Sequence, residues 1–374
     1  MALSLPLQNL SAVISRSGNA TTPTARPPRG RHWAVHVAAL VQMGGYEEGK
    51  LERPKWVGET PLSRIVQALI SFKPVFSVLK HGSRRALIST AKKNNIPWRQ
   101  MAKEILESES LVYPDCCWGD CLIHFANYLN PFHAYDDGNL TWLVCGNSQQ
   151  EAEAATMSIA RRAVSDASST QEAIKILRGN WLLAIEQHHI QYSESSVIND
   201  ILDIGCSIGI STRYLADKFL TAKVTGLDLS PYFLAVAKHK EKRAQPRKFP
   251  IRWIHAKGED TGLPSKSFNL VSIAFVLYAN MNFVSLVGVF GFIATFQERC
   301  HTTEIANNSF FMNVTRVIVN IVREAFCLLW PGGTLALIDS SELSPVLFTL
   351  YKCTEPFIDE FYLTDMDETL REAG

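Results

Sequence analysis

Asp200-Ile201-Leu202-Asp203-Ile204-Gly205-Cys206-Ser207-Ile208-Gly209-Ile210-Ser211-Thr212 reads as a buried strand, a glycine turn and the start of a helix. The two glycines let backbone approach a ligand closely, and the helix that follows presents unpaired N–H groups at its first turn. Asp228 follows 19 residues after Gly209, where the next apolar run, Lys223–Leu229, ends. A carboxylate in that place can accept both hydroxyls of a ribose. A dinucleotide fingerprint wants glycines at the first, third and sixth positions of the turn. Counted from Gly205 these are Gly205, Ser207 and Ile210, so two of the three fail. The spacing that is met is an acid, a glycine two later and a second glycine four beyond that: Asp203, Gly205 and Gly209.

Outward from this turn the pattern stays alternating, which predicts an α/β fold on a parallel sheet. Helix is expected from Ser211 to about Phe219, and again after Ser230, an N-cap followed by Pro231 at the first helical position. Further strands are expected at Pro250–His255, Phe268–Leu277 and, after the turn Pro331-Gly332-Gly333, at Thr334–Asp339. Upstream, apolar spacings of three and four predict helices between Thr60 and Ser108, punctuated by Gly82 and Pro97. Two more are expected at about Gln150–Ser165 and at Thr170–Gln191, the latter capped by Thr170.

The 374 residues carry 37 basic and 36 acidic side chains, a net charge of +1, which argues against nucleic-acid binding through a basic surface. Eight cysteines are too few for a disulfide scaffold, so a reducing interior is the default. The balance is uneven along the chain. No acid precedes Glu47, while Arg16, Arg26, Arg29 and Arg31 stand among serines and a Thr/Pro run. That is the composition of an organellar transit peptide over residues 1–46, with its serines leaning to the plastid over the mitochondrion. Without it, 33 basic residues face 36 acids, a mildly acidic body.

The motifs in this order resemble the class I S-adenosylmethionine-dependent methyltransferases. Four stretches carry the resemblance: the first turn, Gly226-Leu227-Asp228-Leu229-Ser230-Pro231, the loop from Gly258 to Phe268, and Leu329-Trp330-Pro331-Gly332-Gly333-Thr334. The resemblance implies a Rossmann-like sheet, S-adenosyl-L-methionine as cofactor and methyl transfer to a small-molecule or lipid-like acceptor. It places Asp203, Gly205, Cys206, Ser207 and Gly209 along the cofactor, Asp228 and Leu229 at its ribose, and Glu259 and Asp260 at its adenine. Methyl transfer from a sulfonium is an in-line displacement that asks mainly for alignment and desolvation. No obligatory acid or base is identified, and His255 reads as a strand-end residue. Further stretches are similar to plant plastid-type relatives of the ubiquinone/menaquinone-biosynthesis methyltransferases: Tyr128 to Asp136, Arg178-Gly179-Asn180-Trp181, Glu186 to His189, and Glu342 to Tyr362. On that similarity a helical extension over 47–196 covers the cofactor, and Trp181, His188, His189 and Tyr192 are candidates for an acceptor pocket. The methyltransferase domain is expected over 197–374.

Three departures stand out. Residues 279–313 intervene where the family has a short loop, and 116–127 hold three cysteines; both read as inserted, translated intron sequence. Cys116, Cys117, Cys121 and His124 match no standard zinc spacing, so no metal is expected. No charged residue occurs from Ser267 to Gln297, yet half of that run is a buried strand and its remainder is too short to span a bilayer, so no transmembrane segment is expected. The family's last two strands are missing from the pattern, which leaves the strand at Thr334 as an open edge. Asn269 replaces a usual aspartate, and Trp330 a usual basic residue. Alternatives to an active enzyme are a silent cofactor-binding pseudoenzyme and a membrane-anchored protein.

Overall fold

The structure, a computed structural model, describes residues 34–39, 61, 64, 65, 68, 69, 72–108, 141–163, 169–193, 195–274, 289–295, 314–340 and 370. The expected insertion at 116–127, the motif at 128–136 and the C-terminal motif from Glu342 lie outside them. In chain order the elements are β1 (Ala34–Ala39), α1 (Lys73–Lys93), α2 (Trp98–Leu106), α3 (Trp142–Ala163), α4 (Thr170–Tyr192), β2 (Asp200–Ile204), α5 (Ile210–Lys218), β3 (Lys223–Asp228), α6 (Pro231–Arg243), β4 (Arg252–His255), β5 (Phe268–Ala274), β6 (Val289–Thr295), α7 (Val314–Leu328) and β7 (Leu329–Ser340).

Among the described residues seven strands form one sheet in the order β1-β6-β7-β5-β2-β3-β4. The five strands β4, β3, β2, β5 and β7 are parallel, in the α/β arrangement the sequence predicts. Their order reverses between β2 and β5, both successors of which lie on opposite sides, so the carboxyl ends of β2 and β3 open beside a switch point. Both faces of the sheet are covered. Ile201, Leu202 and Ile204 of β2 and Leu270 and Val271 of β5 are buried with Trp181 and Ile185 of α4, Leu215 of α5, and Ile318, Ile321 and Val322 of α7. Residues buried on both faces of a parallel strand explain the run of apolar side chains from Phe268.

The edge differs from expectation. β6 pairs antiparallel with β7 from Val289↔Ser340 to Thr295↔Thr334, and β1 pairs antiparallel with β6 from Ala34↔Thr295 to Ala39↔Phe290. The strand at Thr334 is therefore no open edge. Its unpaired backbone groups are satisfied by a charge-free segment of the expected insertion, and β1 comes from the acid-free N-terminal stretch.

Local side-chain capping explains three of the described helix starts. Ser230 accepts from the Phe233 N–H at 3.3 Å with Pro231 behind it, and α6 ends on Lys240, Lys242 and Arg243, the favourable charge for a carboxyl end. In α4 the cap is Ser169, which accepts from the Glu172 N–H at 3.2 Å; Thr170, the expected cap, is already helical. α3 begins at Trp142 rather than near Gln150, its first turn held by Thr141 Oγ1 accepting from the Val144 N–H at 3.4 Å. Gly82 sits inside α1 without breaking it, since a helix tolerates one exposed glycine at about 1 kcal/mol. Pro97 does act as punctuation, capping α2. Asn269 keeps the acceptor role of the acid it replaces: its Oδ1 takes the N–H groups of Asn199 and Asp200, both at 3.0 Å, at the start of β2. Cys145 and Cys206 are free and buried, while Cys327 is disulfide-bonded. Among the described residues no helix is long and apolar enough to cross a membrane.

Candidate functional site

The turn between β2 and α5 has three residues at positive φ, Gly205 at 69°, Ser207 at 49° and Gly209 at 78°. Only glycine adopts such angles freely, so Ser207 needs a partner that holds it there. That partner is Asp228: its Oδ2 accepts the Ser207 N–H at 2.7 Å and its Oδ1 the Ser230 N–H at 2.8 Å. The turn is tied further by Cys206 N–H to Leu227 O at 2.9 Å and Gly209 N–H to Cys206 O at 2.8 Å. Asp203 sits one strand over. Its Oδ2 accepts from Thr212 Oγ1 at 2.7 Å and its Oδ1 from Ser272 Oγ at 2.8 Å, so one carboxylate links β2, α5 and β5.

Both acids are buried, and burial raises each carboxyl from its ordinary range to about 6. Their hydrogen bonds pull the other way without cancelling the desolvation. For Asp228 the field of Asp203 adds to the rise. An ionised carboxylate has about four lone-pair positions, so Asp228, beyond the N–H groups it accepts, keeps an acceptor position for a ligand hydroxyl.

The expected site residues divide. Asp203, Gly205, Cys206, Ser207, Gly209, Asp228 and Leu229 come together at the ends of β2 and β3. Leu229 offers its carbonyl to His255 Nε2 at 2.8 Å, which makes His255 the strand-end residue expected of it. Glu259 is half-buried and Asp260 exposed on the loop after β4, next to the Ala256 N–H that reaches Asp228 O at 3.2 Å. That loop is pinned from α7, where Glu324 Oε1 accepts the Thr261 N–H at 3.0 Å and hydroxyl at 2.5 Å.

Gly209 owes its identity to a residue the sequence did not single out. A Cβ there would stand 2.3 Å from the Trp253 ring of β4, and one on Gly226 would stand 2.7 Å from the same ring and 3.1 Å from Cys206 Sγ. Trp253 thus lies over both glycines; an aromatic residue two before His255 was the available signal. Cys206 is enclosed, and burial pushes its thiol well up. A second group missed is the helical cover. Val144 and Cys145 of α3 and Ile105 of α2 are buried with Ile208 of the turn and Tyr232, Phe233 and Val236 of α6. Trp142 meets Tyr232 edge to face at 5.0 Å, which seats α3 on the start of α6.

The proposed acceptor-pocket residues are elsewhere. Trp181 is 1% exposed within the main core. His189 Nδ1 meets Thr334 Oγ1 at 2.8 Å, and Ser193 donates to Gly332 O, both at the start of the parallel part of β7. Thr334 is level with Leu270 and Ile201, whereas Asp203 is level with Ser272, two residues nearer the carboxyl ends. His188 packs on Tyr192 with ring centroids 4.7 Å apart. Trp181 is therefore core packing, and the end of α4 that carries His189 is tied to β7 two residues nearer the amino ends of the strands than Asp203.

Residues 201–290 match the family model described as a methyltransferase domain. A demethylmenaquinone methyltransferase of Tropheryma whipplei is 38% identical over 78 residues, 21% of this chain and 30% of the relative. The chain thus matches under a third of that relative's length. Solved structures with a likeness include a Haemonchus contortus phosphoethanolamine N-methyltransferase 2 (17% identity, 52% of this chain and 36% of that one, TM-score 0.32). Another is an S-adenosylmethionine-dependent methyltransferase of Mesorhizobium loti (19% identity, 42% and 52%, TM-score 0.25).

Proposed function

From the match of residues 201–290 to a methyltransferase domain, we propose that the chain is a class I S-adenosylmethionine-dependent methyltransferase that transfers a methyl group from that cofactor to a small or lipid-like acceptor. The observation that carries the reading is Asp228, a buried acid at the end of β3 that holds the glycine turn through Ser207 and keeps an acceptor position for a ribose hydroxyl. The residues fit the cofactor. Asp228 and Leu229 would hold its ribose, Cys206 and Ser207 would line it with backbone, Asp203, Gly205 and Gly209 would stand toward its amino-acid end, and Glu259 and Asp260 toward its adenine. The bound cofactor supplies an electrophilic methyl on a sulfonium; the protein supplies alignment and a dry site. A demethylmenaquinone methyltransferase among the relatives favours a lipid-like acceptor. Calorimetry with S-adenosylmethionine, followed by labelled-methyl transfer into a lipid extract, tests both steps. Binding without transfer to any acceptor would reduce the chain to a cofactor-binding protein, and no binding would overturn the reading.

The acid-free N-terminal stretch supports import into the plastid, with the mitochondrion as the other organelle of that composition. Because β1 lies inside it, processing before Trp33 keeps the strand and processing at residue 46 removes it. A fluorescent fusion of residues 1–46 that stays diffuse in the cytosol would overturn import, and the mass of the mature chain locates the cut.

A further inference from the structure

From Pro61 to Lys103 the sequence holds nine lysines and arginines and no acid, which with a net charge of +1 leaves the remainder of the chain at −8. The same stretch exposes large apolar side chains. Phe72 is 60% and Val78 71% exposed, and Ile65, Leu69 and Ile88 are exposed with them. Within α1, Val78, His81, Arg85, Ile88 and Lys92 are all exposed and follow one another at three and four residues, which makes one outward stripe. The opposite face is occupied: Leu87 and Ala91 are buried with Ile96, Trp98 and Ala154 of α3. Beside the stripe, a Cβ on Gly82 would meet nothing within 4 Å. Arg64, Ile65, Ala68 and Leu69, helical and exposed, extend the mixture of cation and apolar surface upstream. At the start of α1 the N-cap Phe72 supplies no side-chain bond, the first turn holds no acid, and Lys73 is the first residue. A cation beside the free N–H groups of a helix start favours an anion there.

The chemistry of the face selects its partner. A second copy joined through a two-fold axis sets the same cations against one another. Nucleic acid rewards the cations but gives Ile65, Leu69 and Val78 nothing apolar to be buried in. A bilayer with anionic headgroups rewards both, with phosphates for the cations and the acyl boundary for the apolar side chains. We propose that the outward stripe of α1, with Arg64, Ile65, Leu69 and Phe72 before it, docks on the surface of an anionic lipid bilayer. Among the described residues no helix is long and apolar enough to cross one, so the contact lies along the surface. α1 packs on α3, whose Trp142 meets Tyr232 at the start of α6, so docking holds the helical cover of the candidate site at the membrane. The proposal does not depend on which acceptor receives the methyl group.

The test is co-sedimentation of the full chain with vesicles of phosphatidylcholine alone and of phosphatidylcholine and phosphatidylglycerol in equal parts. Wild type binds the anionic vesicles at least about tenfold more tightly, and added salt weakens the binding. Arg85→Gln with Lys92→Gln lowers that affinity about twentyfold, each cation being worth about fivefold. Phe72→Ser with Val78→Ser lowers it about tenfold or more through lost apolar burial. All four positions are exposed, so both variants keep the wild-type circular dichroism spectrum; Val78→Ser alone serves where the serine pair does not fold. No binding, binding that ignores vesicle charge, or binding that either pair retains in full overturns the proposal. Duplex DNA bound as tightly as the anionic vesicles by wild type and by the serine pair assigns the face to nucleic acid and overturns it too. So does a dimer in analytical ultracentrifugation that the serine pair dissolves, which assigns the face to a second copy.

Discussion

Asp203 and Asp228 stand at the ends of two central parallel strands, each oxygen committed to a named donor. At the far side of the same sheet, β6 and β1 join through antiparallel ladders, in segments that carry no motif, with α4 packed against them. The central region is a site because buried charge demands specific partners, and those partners recur at fixed spacings. The edge is built from whatever charge-free segment can satisfy an open ladder, so many sequences would serve.

The largest expected effect sharpens that contrast. Leu202→Ala, at a fully buried position of β2, lowers stability in urea by about 2–5 kcal/mol. Ile293→Pro interrupts β6 between His36 of β1 and Ala336 of β7 and costs less than Leu202→Ala, while remaining above about 1 kcal/mol for a lost ladder bond. An Ile293→Pro chain as stable as wild type would break the comparison, because the edge would then contribute nothing.

Gly209→Ala comes next. The new methyl meets Trp253 and the residue is forced to φ 78°, a combined loss of about 1–3 kcal/mol. The double variant Gly209→Ala with Trp253→Ala recovers part of it if the ring is the obstacle. Asp228→Ala weakens S-adenosylmethionine binding at least about tenfold, near 1.4 kcal/mol. Unchanged affinity by calorimetry would remove the ribose assignment.

The smallest effect is the pH dependence. Asp203 titrates at about 6 in the folded chain, above its ordinary 3.8. Between those values the folded state binds more protons than the unfolded one, so this group's contribution to stability falls as pH rises toward 6. Going from pH 7.5 to 5 stabilises wild type relative to Asp203→Asn by about 1 kcal/mol, read as the difference of their urea midpoints. A difference that does not change with pH would mean the carboxyl is not desolvated as the structure has it.

Much of the central region was legible beforehand. Asp200–Ile204 is a strand as expected, Ser230 and Pro231 start their helix, and Asp203, Gly205, Gly209 and Asp228 converge. These features depend on neighbours within a few residues, or on one strand repeating the pattern of the next. Trp181, His188 and His189 were misplaced because periodicity reports the face of a helix and not which end of the sheet it reaches. Trp253 and Arg178 were missed as partners since each acts across long sequence separation, on Gly209 and on Ser211.

What the amino-acid sequence determined by itself was the chain of local decisions: strand, glycine turn, helix, and the acids that terminate two strands. Those follow from backbone angles, caps and buried apolar runs, all short-range quantities. Only the tertiary structure decided that Val289–Thr295 and Ala34–Ala39 close the sheet, that Trp253 covers two glycines, and that a buried arginine from α4 faces the first turn of α5. Such pairings are settled by the competition of distant segments for unsatisfied hydrogen bonds and buried charge, which no local pattern records.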